Sequence, residues 1–177
     1  MSSASPAPTS SASYQIPPDL LAVPWAYALL TSPTTQVIPD AITRPRHGTT
    51  AASLFGSTLH KPAGLREYVT LQTPTDTRTI AVVGTELNGH ADIMHGGLVG
   101  TLLDEVCGAA VAEPSFTAYL NVTYRQPVRT PGVLMGRAWV RKREGRKVWI
   151  DGCLEDGVGG VFAEAESLFV LVRKEKL

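Results

Sequence analysis

The chain has 177 residues, 44% of them hydrophobic, and its 16 basic and 16 acidic residues leave no net charge. That balance argues against nucleic acid as a partner, because phosphate binding calls for a basic excess. Two cysteines are too few for a disulfide framework, and no apolar run approaches the length of a membrane span.

Residues 1–18 are Ser-, Ala-, Pro- and Thr-rich and are expected to form a disordered tail. The first basic residue is Arg44, so neither a secretory nor a mitochondrial leader is expected and the cytoplasm is the default location. Residues 19–50 form an N-terminal extension. Within it, 19–31 can make a short amphipathic helix, with Asp19 as N-cap and Pro24 in its first turns. Trp25, Leu29 and Leu30 would pack that helix on the domain, and the proline-punctuated stretch 32–50 reads as loop.

From residue 51 onward the pattern is that of strands. Residues 53–59, 65–73 and 78–87 are short and rich in β-branched or aromatic side chains, and turn signals at 61–64 and 73–76 separate them. Between residues 96 and 112 lies the one long segment that is apolar almost all round, stopped by Pro114. A helix with no polar face has to be buried on most sides. Four longer strands follow at 117–126, 133–143, 146–155 and 161–173. Their short, glycine-containing links predict antiparallel hairpins in a meander. One antiparallel sheet wrapped around one central helix satisfies this order, an α+β architecture for residues 51–177. Cys107 and Cys153 fall in apolar segments and read as reduced core residues. Trp139 and Trp149 also read as core.

The opening of the central helix carries the chemistry. Its first amides lack intrahelical partners and sit at the positive end of the helix dipole, where Gly96 and Gly97 allow close approach by an oxyanion. Positions 97, 100, 101, 104 and 108 share a stripe reading Gly, Gly, Thr, Asp, Gly. That stripe either lines a slot for a ligand or lets another element pack closely. Asp104 favours the slot, because a buried carboxylate without partners costs several kcal/mol. Glu105 points about 100° away and is expected in a structural pair.

These residues resemble the hotdog-fold acyl-CoA thioesterase superfamily, in particular the branch of the phenylacetate-pathway thioesterases and the carboxyl-terminal modulator protein. The resemblance rests on His95-Gly96-Gly97 with Asp104 seven positions on and on the strand from Thr117 through Tyr124 to Val128. It also takes in Glu144-Gly145-Arg146-Lys147 and the run from Ala163 to Phe169. It implies a hotdog fold and hydrolysis of a fatty or aryl acyl-CoA, CoA being part of the substrate, with no separate cofactor and no metal. The Gly97 amide, helped by Gly96, would form the oxyanion hole. Asp104 would be general base or nucleophile, Thr117 would place the attacking water, and His95 would orient the loop and contact the thioester. His95 has an alternative role as a ring cap on the helix. Asn88 and His90 could touch substrate from the preceding loop, where this chain has Ala91-Asp92 in place of the Pro-Gly of many relatives. Arg143, Arg146 and Lys147, in a basic hairpin that would otherwise be merely solvated, could hold CoA phosphates. The resemblance also implies a homodimer or dimer of dimers, with the helix mouth and the carboxylate supplied by different chains. The competing functions are a non-catalytic acyl-CoA binder on the same fold and a hotdog hydratase or dehydratase.

Overall fold

Proline punctuates the first elements. The computed structural model, which describes residues 14–38 and 54–173, has two short helices, α1 (Pro18–Leu21) and α2 (Pro24–Thr31), in place of one helix begun by Asp19. Pro18 and Pro24 each sit in a first turn, where the missing N–H is harmless. The same missing N–H at Pro24 prevents α1 from running on into α2. Trp25, Leu29 and Leu30 pack as expected, and so do Tyr14 and Ile16 from the stretch expected to be tail. Residues 1–13, the rest of that expected tail, lie outside the described residues.

The expected loop 32–50 contains a short strand, β1 (Gln36–Ile38), and residues 39–50 of it lie outside the described residues. The strand expected at 53–59 is instead a π-helical turn, Leu54–Thr58, with only Phe55 buried and set against the Tyr68 ring at 5.3 Å. Two facts explain the difference. Gly56 breaks the β pattern, and the outer edge of the next strand is already taken by β1. There follow β2 (Leu65–Gln72) and β3 (Thr77–Val83), a 3₁₀ turn at Thr85–Leu87, and a tiny hairpin of β4 (Asn88–His90) and β5 (Ile93–Met94). The central helix α3 spans Gly96–Val111, as the sequence predicts, and ends on Ala112 in the left-handed conformation. The last four strands are β6 (Ser115–Tyr124), β7 (Gly132–Glu144), β8 (Lys147–Glu155) and β9 (Val161–Leu171).

Seven strands form one antiparallel sheet in the order β1-β2-β3-β7-β8-β9-β6. Only β7, β8 and β9 make the expected meander. β6 lies at the far edge beside β9, not beside β7. The link 125–131 must therefore cross three strand spacings, about 14 Å. Seven residues reach about 23 Å when extended, so the crossing is feasible.

The inner face of the sheet curves around α3. Val99, Leu102, Leu103, Val106, Cys107 and Val111 of the helix meet Leu134, Ala138, Val148, Ile150, Leu154, Ala163 and Phe169 in one core. Two glycines let the helix come this close. A Cβ on Gly136 would lie 2.5 Å from Val106, and one on Gly152 would lie 2.7 Å from the Cys107 sulfur. Both cysteines are free and buried, as expected, and burial pushes each thiol up to about 12. The outer face is divided. Leu20 and Ala26 of α1 and α2 cover Val69, Leu71, Ile80 and Val82 of β2 and β3, so residues 14–38 are part of the packed unit. The other half carries Trp139, which is 38% exposed and so not the core residue expected; Arg137 stands over its ring at 5.7 Å. Trp149 also faces outward, half-buried under Lys142 at 5.2 Å.

Candidate active site

Two polar clusters lie along the side of α3 that its own sheet leaves open. The first is at the helix mouth. His95 is the N-cap, in extended backbone, and its ring Nδ1 accepts a 2.9 Å hydrogen bond from the Gly97 amide. The capping role weighed for His95 is therefore realised. The cap occupies the very donor that the sequence nominated for an oxyanion. Leu98 and Val99 donate to the His95 carbonyl. Among the described residues the Gly96 amide has no acceptor, so Gly96 holds the free donor at the positive end of the dipole. The Tyr124 hydroxyl, from the end of β6, donates to the Gly96 carbonyl at 2.9 Å.

The second cluster is two turns further on. Thr117 donates from β6 to Asp104 Oδ1 at 2.8 Å. A bulge makes this contact possible. Thr117 pairs with Phe169 while Tyr119 pairs with Leu168, so Ala118 is an extra residue. Leu120 and Val122 pack on the core beside α3. Strict alternation from them would turn Thr117 outward; the extra residue turns it back toward the helix. Glu105 has an interaction of its own.

The stripe of small residues divides between its two readings. Gly108 faces the Phe169 ring and Gly100 faces Val122 and Tyr124, which is close packing. Thr101 bonds back to the Gly97 carbonyl at 2.8 Å, and Gly97, Thr101 and Asp104 lie on the open side.

The loop before the helix behaves differently from its sequence reading. The Asn88 side-chain oxygen accepts from the Thr130 hydroxyl, which ties the β4 hairpin to the link after β6. His90 is exposed at the hairpin end. Asp92 has φ +56, a left-handed conformation that Asp tolerates better than most residues. The basic hairpin sits at the other end of α3. Arg143 pairs with Glu113 and Arg146 donates to the Leu171 carbonyl at 3.1 Å, while Lys147 is exposed. No group of His, Cys, Asp and Glu among the described residues could hold a metal ion, and no helix among them is long and apolar enough to cross a membrane.

The family profile described as Thioesterase superfamily matches residues 91–163, the stretch from the β4–β5 turn through β9's first residues that contains both clusters. Acyl-coenzyme A thioesterase THEM4 of Mus musculus is 30% identical over 115 residues, covering 62% of this chain and 50% of its own length. A solved thioesterase superfamily protein is 27% identical with a TM-score of 0.55, covering 58% of this chain and 53% of the other. Over those residues the chain is similar to the thioesterase superfamily. Its hotdog fold is shared with a Bacillus halodurans protein solved with CoA, at 22% identity and a TM-score of 0.52, over 56% of this chain and 69% of the other. The chain spans about half the length of the THEM4 relatives it matches. At the helix mouth, the sequence reading missed Tyr124 as a neighbour. It quoted the strand that holds Tyr124, but only the crossing of β6 to the sheet edge brings that hydroxyl to Gly96.

Proposed function

We propose that this protein hydrolyses the thioester of a fatty or aryl acyl-CoA to the free acid and CoA. The observation that carries the proposal is the Thr117–Asp104 hydrogen bond on the open side of a helix whose mouth presents a free Gly96 amide. Within one chain these two groups are eight residues apart on the helix, a rise of about 12 Å, too far to act on one carbonyl. Two antiparallel copies of α3 remove that gap. β6 is an edge strand ten residues long, and its outermost large side chain, Phe116, is 73% exposed. Such an edge is a template for pairing with a second strand. A two-fold pairing of β6 with β6 sets the helices side by side and brings Gly96 of one chain to Asp104 of the other. The protein is thus a homodimer, alone or doubled into a dimer of dimers, with shared sites.

In this reading the Gly96 amide binds the carbonyl oxygen as charge builds on it, and the Gly97 amide joins when the His95 ring turns away. Asp104, held by Thr117, takes a proton from water. The hydroxyl oxygen bonds to the carbonyl carbon, the C–S bond breaks, and the CoA thiolate recovers the proton from Asp104. Lys147, with Arg143 and Arg146, lies at the far end of α3. In the antiparallel dimer that is the entrance beside the partner's helix mouth, suited to CoA phosphates. Asn88 shapes that mouth through Thr130, and His90 borders it.

The experiment is CoA release from a panel of acyl and aryl thioesters, with Asp104→Ala in parallel. Turnover abolished by the substitution supports hydrolysis. Binding without turnover, unchanged in Asp104→Ala, means a non-catalytic acyl-CoA binder, and hydration of an enoyl-CoA means a hydratase. A single turnover in ¹⁸O water puts label in the first acid product if Asp104 is the base. Label in Asp104 itself makes it the nucleophile.

A further inference from the structure

The residue at the helix mouth is gripped on two sides. On one side the Gly97 amide is bonded to His95 Nδ1 at 2.9 Å. On the other, the carbonyl of the same peptide unit accepts from the Tyr124 hydroxyl at 2.9 Å. The peptide joining Gly96 to Gly97 is therefore held at its N–H by the cap and at its C=O by β6, in addition to the hydrogen bond that its carbonyl accepts within α3. What stays unbonded on Gly96 is its own N–H. Glycine is the residue with the most backbone freedom, and two in succession at a helix start would fray without such restraints. The Tyr124 ring also lies over this point. A Cβ placed on Gly96 would be 3.7 Å from the ring, and one on Gly100 would be 3.8 Å from the hydroxyl. Yet Tyr124 contributes little to the core, being 55% exposed on the open side of the helix. Within its own chain the side chain is spent on one backbone carbonyl, which is better explained by orientation than by packing on the core.

We propose that Tyr124 is a positioning residue for the oxyanion donor: its hydroxyl, bonded to the Gly96 carbonyl, fixes the backbone of Gly96 so that the free amide keeps its aim. This rests on the thioesterase reading of the same site, but the grip itself does not depend on it. Tyr124 touches no reacting atom in this scheme. Its influence passes through the two soft dihedrals of Gly96. A misaimed amide weakens the transition state more than the ground state, because the hydrogen bond strengthens only as negative charge develops on the oxygen.

Tyr124→Phe tests the proposal, since it removes the hydroxyl and keeps the ring. With the thioester that the wild type turns over fastest, kcat is expected to fall about fivefold to tenfold, the effect of one neutral hydrogen bond, while KM and the melting temperature stay near wild type. Amide hydrogen exchange read by NMR should be faster at Gly97 in the variant, because the peptide has lost its hold from β6. An unchanged kcat overturns the proposal, and so does a loss confined to KM, which would make Tyr124 a substrate contact. Slower turnover with no change in Gly97 exchange also overturns it. If the wild type turns over no thioester, the hydrolase reading fails by itself. Gly97 exchange then decides the positioning role alone: faster exchange upholds it and equal exchange overturns it.

Discussion

Thr117 holds one oxygen of the Asp104 carboxylate at 2.8 Å, and among the described residues the other oxygen has no hydrogen-bond partner. In the proposed hydrolysis that arrangement separates a group that reacts from a group that aims it. Asp104→Ala should lower kcat about a hundredfold to ten-thousandfold, the usual worth of a general base. Thr117→Val keeps the β-branched shape and removes only the hydroxyl. It should cost about tenfold to a hundredfold, the range for a hydrogen bond to a charged group. The double variant should be no worse than Asp104→Ala alone, because Thr117 works through the carboxylate. Steady-state kinetics on the three variants check this, and additive losses would give Thr117 a separate role.

The Gly96 amide can be deleted almost by itself. Gly96 is the first residue of α3, where proline is tolerated, and His95 before it has φ −61 and ψ 130, the extended conformation that a following proline requires. Gly96→Pro should therefore fold with a melting temperature near wild type. Its kcat should fall about a hundredfold to a thousandfold, the measured worth of an oxyanion-hole donor. Coexpression with Asp104→Ala then tests whether sites are shared. A mixed dimer pairs one intact Gly96 with one intact Asp104, so random mixing should restore about a quarter of the wild-type sites. No restoration would place the whole site within one chain.

Much of this was legible in the sequence, for definite reasons. α3 stood out because an apolar segment without proline must be a buried helix, and β7, β8 and β9 stood out because tight glycine links force antiparallel neighbours. Asp104 was nominated by the cost of burying a charge. What escaped was set by contacts distant in sequence. No local signal says that β6 crosses to the far edge, so Tyr124 could not be seen near Gly96. The bulge at Ala118 inverts the alternation that would have turned Thr117 away, and it leaves no mark in residue type. The His95 cap and a free Gly97 amide were both reasonable readings of the same motif. Only the ring orientation chose between them.

The fit of the helix on the sheet rests on two absent side chains. Gly152 faces the Cys107 sulfur and Gly136 faces Val106, each closer than any real Cβ could sit. Gly152→Ala should push α3 off the sheet and destabilise the fold by about 1–3 kcal/mol, the cost of overpacking a core. Cys107→Ala on that background removes the atom in the way and should recover part of the loss. Denaturant melts of the single and double variants read both effects. An additive result would mean that the strain lies elsewhere.

Two carboxylates, one on β2 and one in the β2–β3 turn, should respond to pH in opposite senses. At the β2–β3 turn, burial alone would push the Asp76 carboxyl up. Hydrogen bonds from Arg78 at 2.8 Å and Thr73 at 2.6 Å outweigh it and hold the group below its ordinary 3.8. A depressed folded value means that Asp76 stabilises the fold above 3.8 and loses that contribution as the pH falls through its folded value. Glu67 on β2 is the reverse case. Burial, with the Asp19 charge adding to it, raises its carboxyl above 4.5 despite the opposing charges of His60 and Arg66. A raised value means that its contribution is complete below 4.5 and is lost as the pH climbs through the folded value, so the ionised group is a burden at neutral pH. Asp76→Asn should therefore lower the melting temperature at pH 7, with the deficit closing below 3.8. Glu67→Gln should raise it at pH 7 and leave it unchanged below 4.5. Thermal melts of both variants across pH 3 to 7 check the pair. Shifts of the same sign at neutral pH would show that local packing, not ionisation, governs one of the two sites.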